Sequence, residues 1–401
     1  MRVMHFNAEE LEKKGKLVKK DDRYEVYDVE MSNLVLSLTK LFPGKATSGH
    51  YHEESEEVYH FLSGRGRIKL GDREYEAKAG DIFTVPKDTF HQVINTGEEV
   101  LKFIAVFEKY EGRGAKLKAI IPAAGHGTRF LPITKAQPKE MLPVFDKPVI
   151  QYVVEEALEA GIDNILIITG RGKRAIEDHF DRSPELEQFL EKAGKHEMLK
   201  EIRRISELAN ITYIRQKEAL GLGHAVLQAR EFVGNAYFAV LLGDVITSPP
   251  CIGEMLEIHR RFRASVIALQ QVRREEVSKY GIAELGEALG NGVYELKDVV
   301  EKPSQEEAPS TLAITGRYIL SSRIFEPLAR GERGYGGEIQ LTDAIRRLIQ
   351  EGERVVGYIY PGRVFDIGNK LDWIKSTVLL SLESEFRQEI VDFLGDLELG
   401  R

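Results

Sequence analysis

Cysteine and tryptophan are almost missing from this chain of 401 residues, in which Cys251 and Trp373 each stand alone. A single thiol makes no internal disulfide, which excludes a disulfide-stapled scaffold. No run approaches 18 apolar residues, and the opening MRVMHFNAEELEKKGK lacks the apolar centre of a secretion signal. These absences predict a reduced, cytoplasmic setting and no membrane partner. Basic excess is missing too: 56 Lys and Arg against 64 Asp and Glu leave a net charge of −8. Such a chain has no overall field for a nucleic-acid backbone, and nucleic acid is not an expected partner. What remains, 42% hydrophobic and 30% charged residues without internal repeats or low-complexity stretches, is the composition of a folded globular protein of one large or two ordinary domains.

Two rhythms divide the sequence. Up to about residue 108, short apolar runs (Asn33–Leu38, Glu57–Leu62, Gly64–Leu70, Val100–Phe107) alternate with turn chemistry at Pro43-Gly44, Gly71-Asp72, Gly80-Asp81 and Asn95-Thr96-Gly97. That pattern predicts an antiparallel β-barrel or sandwich. Beyond a short polar stretch the rhythm becomes strand then helix. Strands are expected at Leu117–Pro122, Asn164–Thr169, Ile211–Arg215, Tyr237–Leu242, Ser265–Val272 and Leu312–Leu320, and a helix at Pro148–Ala160. This predicts a three-layer α/β domain with a mainly parallel sheet. The expected domains are residues 1–114 and 115–401.

In the first block, His50 and His52 lie two apart, so on a strand they share a face. Glu57 opens the next run on the face of Tyr59 and Phe61, whereas His60 points the other way, as a surface or packing histidine. His91 follows Pro86 near another strand start. Three imidazoles and one carboxylate can thus converge inside a barrel, a donor set suited to Mn, Fe, Ni or Zn without distinguishing them. The strings Gly44-x5-His50-x-His52-x4-Glu57-x6-Gly64 and Gly80-x5-Pro86-x4-His91-x3-Asn95 resemble the paired motifs of the cupin family over residues 33–108, with Asp88 where glycine is usual. The tract Pro43–His52 is further similar to metal-dependent cupin sugar-phosphate isomerases. The resemblance implies a divalent transition metal on His50, His52, Glu57 and His91, and a hexose 6-phosphate as candidate substrate. Cupins also serve as sugar-binding or dimerisation modules, and both readings stay open.

The second block offers a glycine loop after its first strand. In Ala123-Ala-Gly125-His-Gly127-Thr128-Arg129, glycines let backbone N–H groups approach a phosphate, with Arg129 and Lys139 adding charge. Neither a G-x-G-x-x-G entering a helix nor a Walker GK[ST] is present. The full string through Lys139-Glu-Met-Leu-Pro143 resembles the opening motif of sugar-1-phosphate nucleotidylyltransferases. Further likenesses follow in order: Arg215-Gln216 with Gly221-Leu-Gly223, Leu242-Gly243-Asp244-Val245, Tyr280-Gly281, Val300-Glu301-Lys302-Pro303, Gly316-Arg-Tyr318, Gly337-Glu338-Ile-Gln340 and Phe365-Asp366-Ile-Gly368. Gly243 and His126 depart from the common proline and leucine, and neither change removes a reactive group.

What this resemblance implies is specific. Ala123, Gly125, Gly127, Thr128, Gln216 and Gly221 would hold the nucleotide, with Gln216 and Gly221 on a pyrimidine base. Gly281, Glu301, Lys302 and Glu338 would hold the sugar phosphate. Arg129, Lys139, Asp244 and Asp366 would be catalytic, the two aspartates carrying Mg2+. The motifs at Ile150–Val154 and Ile176–Asp181 and a helical insert at 183–208 favour the uridylyltransferase branch, acting on UTP and glucose 1-phosphate, over the shorter thymidylyltransferases. Both families commonly self-associate, so a homo-oligomer is expected. A non-catalytic nucleotide-sugar sensor or scaffold is the contrasting reading, and retention of Lys139, Asp244 and Asp366 argues against it. His179 and His224 read as helix-face residues and Trp373 as core.

Overall fold

The computed structural model describes residues 10–31, 34–49, 56–87, 89–108, 110–111, 114–115 and 117–397, which form two compact units, 1–116 and 117–401. His50 and His52 lie outside the described residues.

The first unit is built mainly of two antiparallel sheets around one core. The larger runs in the order Lys16–Lys20, Tyr24–Glu30, Leu34–Leu41, Leu101–Glu108, Glu57–Ser63, Ile82–Val85. The smaller runs Arg73–Lys78, Arg65–Leu70, His91–Asn95. Alternation along the strands decides what faces inward. In Leu101–Glu108, residues Leu101, Phe103, Ala105 and Phe107 are buried, and they meet Phe61, Ile68 and Val93 in the core. The same alternation turns Glu57, Tyr59 and Phe61 inward and leaves Val58 and His60 exposed, as the sequence predicts.

The second unit is built on a nine-stranded sheet. Its order is Asn210–Arg215, Asn164–Thr169, Lys118–Ala123, Phe238–Leu241, Leu312–Leu320, Ser265–Gln271, Val355–Ile359, Val293–Glu301, Gly281–Gly290. The first four are parallel neighbours, as are Ser265–Gln271 and Val355–Ile359. Strand Leu312–Leu320 runs antiparallel between its neighbours, and the hairpin Gly281–Glu301 closes the far edge. Central strands show no polar alternation because both faces are covered. Ile121, Ile167 and Leu241 pack with helices Val149–Glu159 and Ile252–Phe262, whereas Ile120, Leu166 and Val240 pack with Leu222–Leu227 and Leu341–Gln350 on the other face. This is the expected three-layer arrangement. Trimming a residue such as Ile121 to alanine in so closed a core costs about 2–5 kcal/mol.

The parallel strands deliver their carboxyl ends to one edge, where open α/β sheets hold ligands. Ala123 leads there into the glycine loop, Thr169 into Gly170–Lys173, Arg215 into Gln216, and Leu241 into the turn carrying Asp244. The insert at 183–208 is a pair of helices, Pro184–Lys192 and His196–Ser206. No described helix is long and apolar enough to cross a membrane.

Candidate active site

After buried Ala123 the chain turns through Gly125 and Gly127, the latter at φ 65°, a left-handed conformation that favours glycine. Thr128–Phe130 forms a short turn in which the Phe130 ring is buried, leaving Thr128 and Arg129 exposed. A second turn, Lys139–Met141, brings Lys139 back beneath the loop. Its ammonium donates to Asp244, and its Nζ lies 3.8 Å from where a Gly125 side chain would begin.

Asp366 reaches Asp244 through a two-stranded ladder in which Val245 pairs with Asp366, and the Ile367 N–H donates to the Asp244 carbonyl at 2.8 Å. Two carboxylates are thereby held at one edge of the sheet, and their charges diverge in behaviour. Burial raises the Asp366 pKa to about 6, Asp244 pushes it the same way, and Lys139 only partly opposes them. Burial also acts to raise Asp244, but the Lys139 ammonium outweighs it and the net direction is down. On Lys139 burial lowers the pKa, while Asp244 and Glu140 drive it net upward. An acidic pair with one member forced toward neutrality is what a divalent cation relieves. Mg2+ is ordinarily held by one or two carboxylates together with substrate phosphates, so this donor set fits it.

Two cavities flank this centre. One, of about 290 Å³, is bordered by Arg129, Asp244, Gly281, Glu301, Lys302 and Asp366. Gly281 and Glu301 are direct partners in the hairpin ladder, and any side chain at Gly281 would meet Thr342 Oγ1 at 2.9 Å. The Glu301 carboxylate accepts from Thr342 Oγ1 at 2.7 Å, and the Lys302 ammonium lies 3.5 Å from Glu301 and over the Tyr335 ring. A carboxylate able to take sugar hydroxyls and a cation able to take a phosphate thus border one hollow. Glu338 is the exception among the expected sugar-phosphate residues. It is exposed, does not border this cavity, and accepts from Gln340 Nε2 at 3.3 Å.

The second cavity, of about 230 Å³, is bordered by Gly125, Gly170, Lys173 and Gln216. Gln216 is 7% exposed, and its amide nitrogen bonds the Gly221 carbonyl at 3.2 Å and His224 Nδ1 at 3.0 Å. His224 therefore orients the amide expected to read a base, a role that its helix-face position did not suggest. Gly221 sits at φ 109°, and a side chain there would strike the Ile339 carbonyl at 2.7 Å. Lys139 stands between the two hollows, touching Asp244 of one and approaching Gly125 of the other.

Other charged residues lie around this centre that the sequence reading left without a role, although Glu140 and Arg317 fall inside its motifs. Lys173 donates to Glu140 Oε2 at 2.7 Å with both side chains buried, and burial raises the Glu140 pKa against the pull of Lys173 and Lys139. Arg317 is fully buried against Glu156. The available signal was a charge inside a run that is otherwise apolar or small, as in Leu312–Leu320. Charged residues are almost never fully buried unless paired.

In the first unit, Glu57 and His91 both have side chains 2% exposed, and His91 Nε2 lies 3.5 Å from Glu57 Oε2. His91 Nδ1 is 3.0 Å from the Thr89 carbonyl. A carbonyl only accepts, so Nδ1 carries a proton and Nε2 is the nitrogen turned toward Glu57, the orientation typical of a metal-binding imidazole. The two residues fit a divalent transition metal. Among the described residues no three His, Cys, Asp or Glu side chains gather as a metal site, and His50 and His52 are outside that set.

A mixed α/β sheet presenting a glycine loop, a lysine and two aspartates at one edge defines a nucleotidyl-transferring architecture. The nucleotidyl transferase family model matches residues 118–381, and the cupin domain model matches residues 37–107. The chain belongs to the nucleotidyl transferase family and carries a cupin domain. It is 53% identical over 283 residues to a protein of Bacillus subtilis named UTP–glucose-1-phosphate uridylyltransferase YngB, covering 70% of this chain and 95% of the relative. It is 51% identical over 286 residues to UTP–glucose-1-phosphate uridylyltransferase 2 of Staphylococcus saprophyticus, covering 71% and 98%. Among solved structures, a UDP-glucose pyrophosphorylase complexed with UDP-glucose aligns at TM-score 0.61 and 45% identity, over 67% of this chain and all of that one.

Proposed function

We propose that this enzyme transfers the uridylyl group of UTP to glucose 1-phosphate, yielding UDP-glucose and pyrophosphate. The observation that carries the reading is the Lys139–Asp244–Asp366 centre between two hollows, one edged by the glycine loop and Gln216, the other by Glu301 and Lys302. The names of the relatives support the choice of UTP and glucose 1-phosphate.

In the reaction a phosphate oxygen of glucose 1-phosphate attacks the α-phosphorus of UTP. The bond from that phosphorus to the bridging oxygen breaks, and pyrophosphate leaves with the bonding pair. Both reactants are anions, so the barrier is largely charge repulsion and alignment. Asp244 and Asp366 would hold Mg2+, which when bound would supply Lewis-acid charge to the reacting phosphates. Lys139 holds Asp244 and presents its ammonium toward the glycine loop. Arg129 offsets charge on the departing pyrophosphate, Lys302 holds the sugar phosphate, and Glu301, fixed by Thr342, accepts from sugar hydroxyls. Gln216, fixed by His224, reads the base together with the backbone of Gly221. Ala123, Gly125, Gly127 and Thr128 shape the phosphate loop. Glu338, exposed and outside the lining of this hollow, is given no step in the scheme.

Pyrophosphate release with Mg2+ and UTP or dTTP against glucose, galactose and mannose 1-phosphates tests the assignment. UTP with glucose 1-phosphate is expected to be preferred, and preference for dTTP would move the enzyme to the thymidylyl class. For the cupin, with its boundary near residue 114, we infer a divalent transition metal with Glu57 and His91 among its ligands. Incubating Mn-, Fe-, Ni- or Zn-loaded protein with fructose 6-phosphate then separates an isomerase, which yields glucose or mannose 6-phosphate, from a binding module, which yields neither.

A further inference from the structure

Arg317 lies in the middle of strand Leu312–Leu320 with its side chain 0% exposed. Its Nε and Nη2 donate to Glu156 Oε2 at 2.9 and 2.7 Å. The rest of the guanidinium faces away from that carboxylate and into the turn after strand Phe238–Leu241. Nη2 donates to the Val245 carbonyl at 2.7 Å, and Nη1 lies 3.4 Å from the Leu242 carbonyl and 3.3 Å from that of Gly316. Glu156 uses its other oxygen to accept from the Cys251 N–H at 3.2 Å, at the start of the next helix.

Asp244 sits between the two carbonyls that Arg317 grips. The ladder puts Arg317 opposite Leu241, so the fork reaches the chain where sheet pairing gives way to the turn. Strand and turn are also pressed together, since a side chain at Gly316 would meet Leu242 at 2.7 Å. Stability alone does not require an ion pair here, because apolar replacements of buried pairs are often neutral or better. A hydrophobic pair, however, offers no donors to carbonyls at the end of a strand.

We propose that Arg317, oriented by Glu156, is a positioning residue that fixes the backbone on both sides of Asp244 and so aims its carboxylate, beside Asp366, at the divalent cation. The proposal rests on the reading of Asp244 as a metal ligand. Arg317 does not touch substrate, and its action runs through the turn.

Arg317→Lys keeps the charge and a bond to Glu156 but loses the planar fork. Mn2+ binding followed by electron paramagnetic resonance, restricted to the ion population that Asp244→Asn abolishes, reads the effect without relying on turnover. The affinity is expected to fall about tenfold, in the range seen when groups behind metal ligands are altered. The Mg2+ concentration for half-maximal pyrophosphate release should rise similarly, with the KM for glucose 1-phosphate changed less than twofold. Circular dichroism and Trp373 fluorescence verify folding. Should the lysine variant misfold, Glu156→Leu combined with Arg317→Met removes the pair without stranding a charge, and the same weakened Mn2+ binding is expected. Folded variants that bind Mn2+ within twofold of the parent overturn the proposal, as does a parent with no Asp244-dependent Mn2+. A parent that binds Mn2+ at Asp244 but releases no pyrophosphate defeats the transferase reading alone.

Discussion

The two units gather functional groups in opposite ways. In the transferase unit, residues as distant in sequence as Gly125, Asp244 and Asp366 meet because parallel strands end at one edge and a short ladder pairs Val245 with Asp366. In the cupin unit, Glu57 and His91 meet because antiparallel strands alternate, so that an inward position on each opens into the same core. A sheet covered on both faces puts chemistry at its rim, whereas two sheets facing each other put it inside. The first arrangement leaves room for large anionic substrates. The second suits an enclosed ion, as proposed for Glu57 and His91.

Replacing single ligands in each unit should show how independent these designs are. Asp244→Asn is expected to lower kcat for pyrophosphate release about 1000-fold, the upper range for loss of one preorganised electrostatic group. The cupin metal content, measured by elemental analysis, should be unchanged. Near-parental turnover would remove Asp244 from the metal site. In the other unit, His91→Asn or Glu57→Gln should weaken transition-metal affinity about 10- to 100-fold while uridylyl transfer stays within twofold. A parallel loss of transfer would mean that the units are coupled. The same pair of measurements applies to His52→Ala.

Much of the contrast was legible in the residues themselves. Strands Asn164–Thr169 and Leu312–Leu320 match their apolar runs end to end, and alternation around Glu57 assigned its face correctly. Less legible was the far side of the transferase sheet. The hairpin Gly281–Gly290 and Val293–Glu301 mixes polar and small residues because part of it meets solvent, so its periodicity is weak. Strand Val355–Ile359 is short and sits between motifs. Partnerships were legible least of all. That Thr342 holds Glu301, His224 holds Gln216 and Arg317 holds the Asp244 turn follows from contacts across 41, 8 and 72 residues, and no local pattern encodes such distances. Glu338 shows the converse, a residue with a good motif and an exposed position.

The pH responses of the units should differ in sign. With the Asp366 pKa raised to about 6 in the metal-free fold, against about 3.8 for an unfolded aspartate, the native state binds more protons between those values. Stability of this unit therefore falls as pH rises from 4 to 6. Trp373 is the single tryptophan and lies in this unit, so its fluorescence reports this melting without the cupin. Between pH 5 and 7 the metal-free melting temperature should drop by a few degrees more in the parent than in Asp366→Asn. Added Mg2+ should restore it at pH 7 in the parent only. Equal slopes in the two proteins would mean that burial and Asp244 do not hold the proton there.

The smallest expected effect lies on the cupin's larger sheet, where Glu25 takes Lys20 at 2.9 Å and Lys40 at 3.2 Å and accepts from the Tyr27 hydroxyl at 3.0 Å. These bonds, that to Lys20 foremost and that to Lys40 next, outweigh burial and hold its pKa down to about 2. The sign is the reverse of that at Asp366. A depressed carboxylate contributes stability above the unfolded value of about 4.5 and loses it as pH falls toward 2. Glu25 is buried, but its foremost partner Lys20 is 65% exposed, and pairs screened by solvent are worth about 0–1 kcal/mol, so Glu25→Gln should lower the cupin melting temperature by only about 1–2 °C at pH 6. Circular dichroism in the strand band should show that difference shrinking at pH 3. A difference that stayed constant between pH 6 and pH 3 would assign the effect of Glu25 to the acceptor oxygen lost to the amide rather than to its charge.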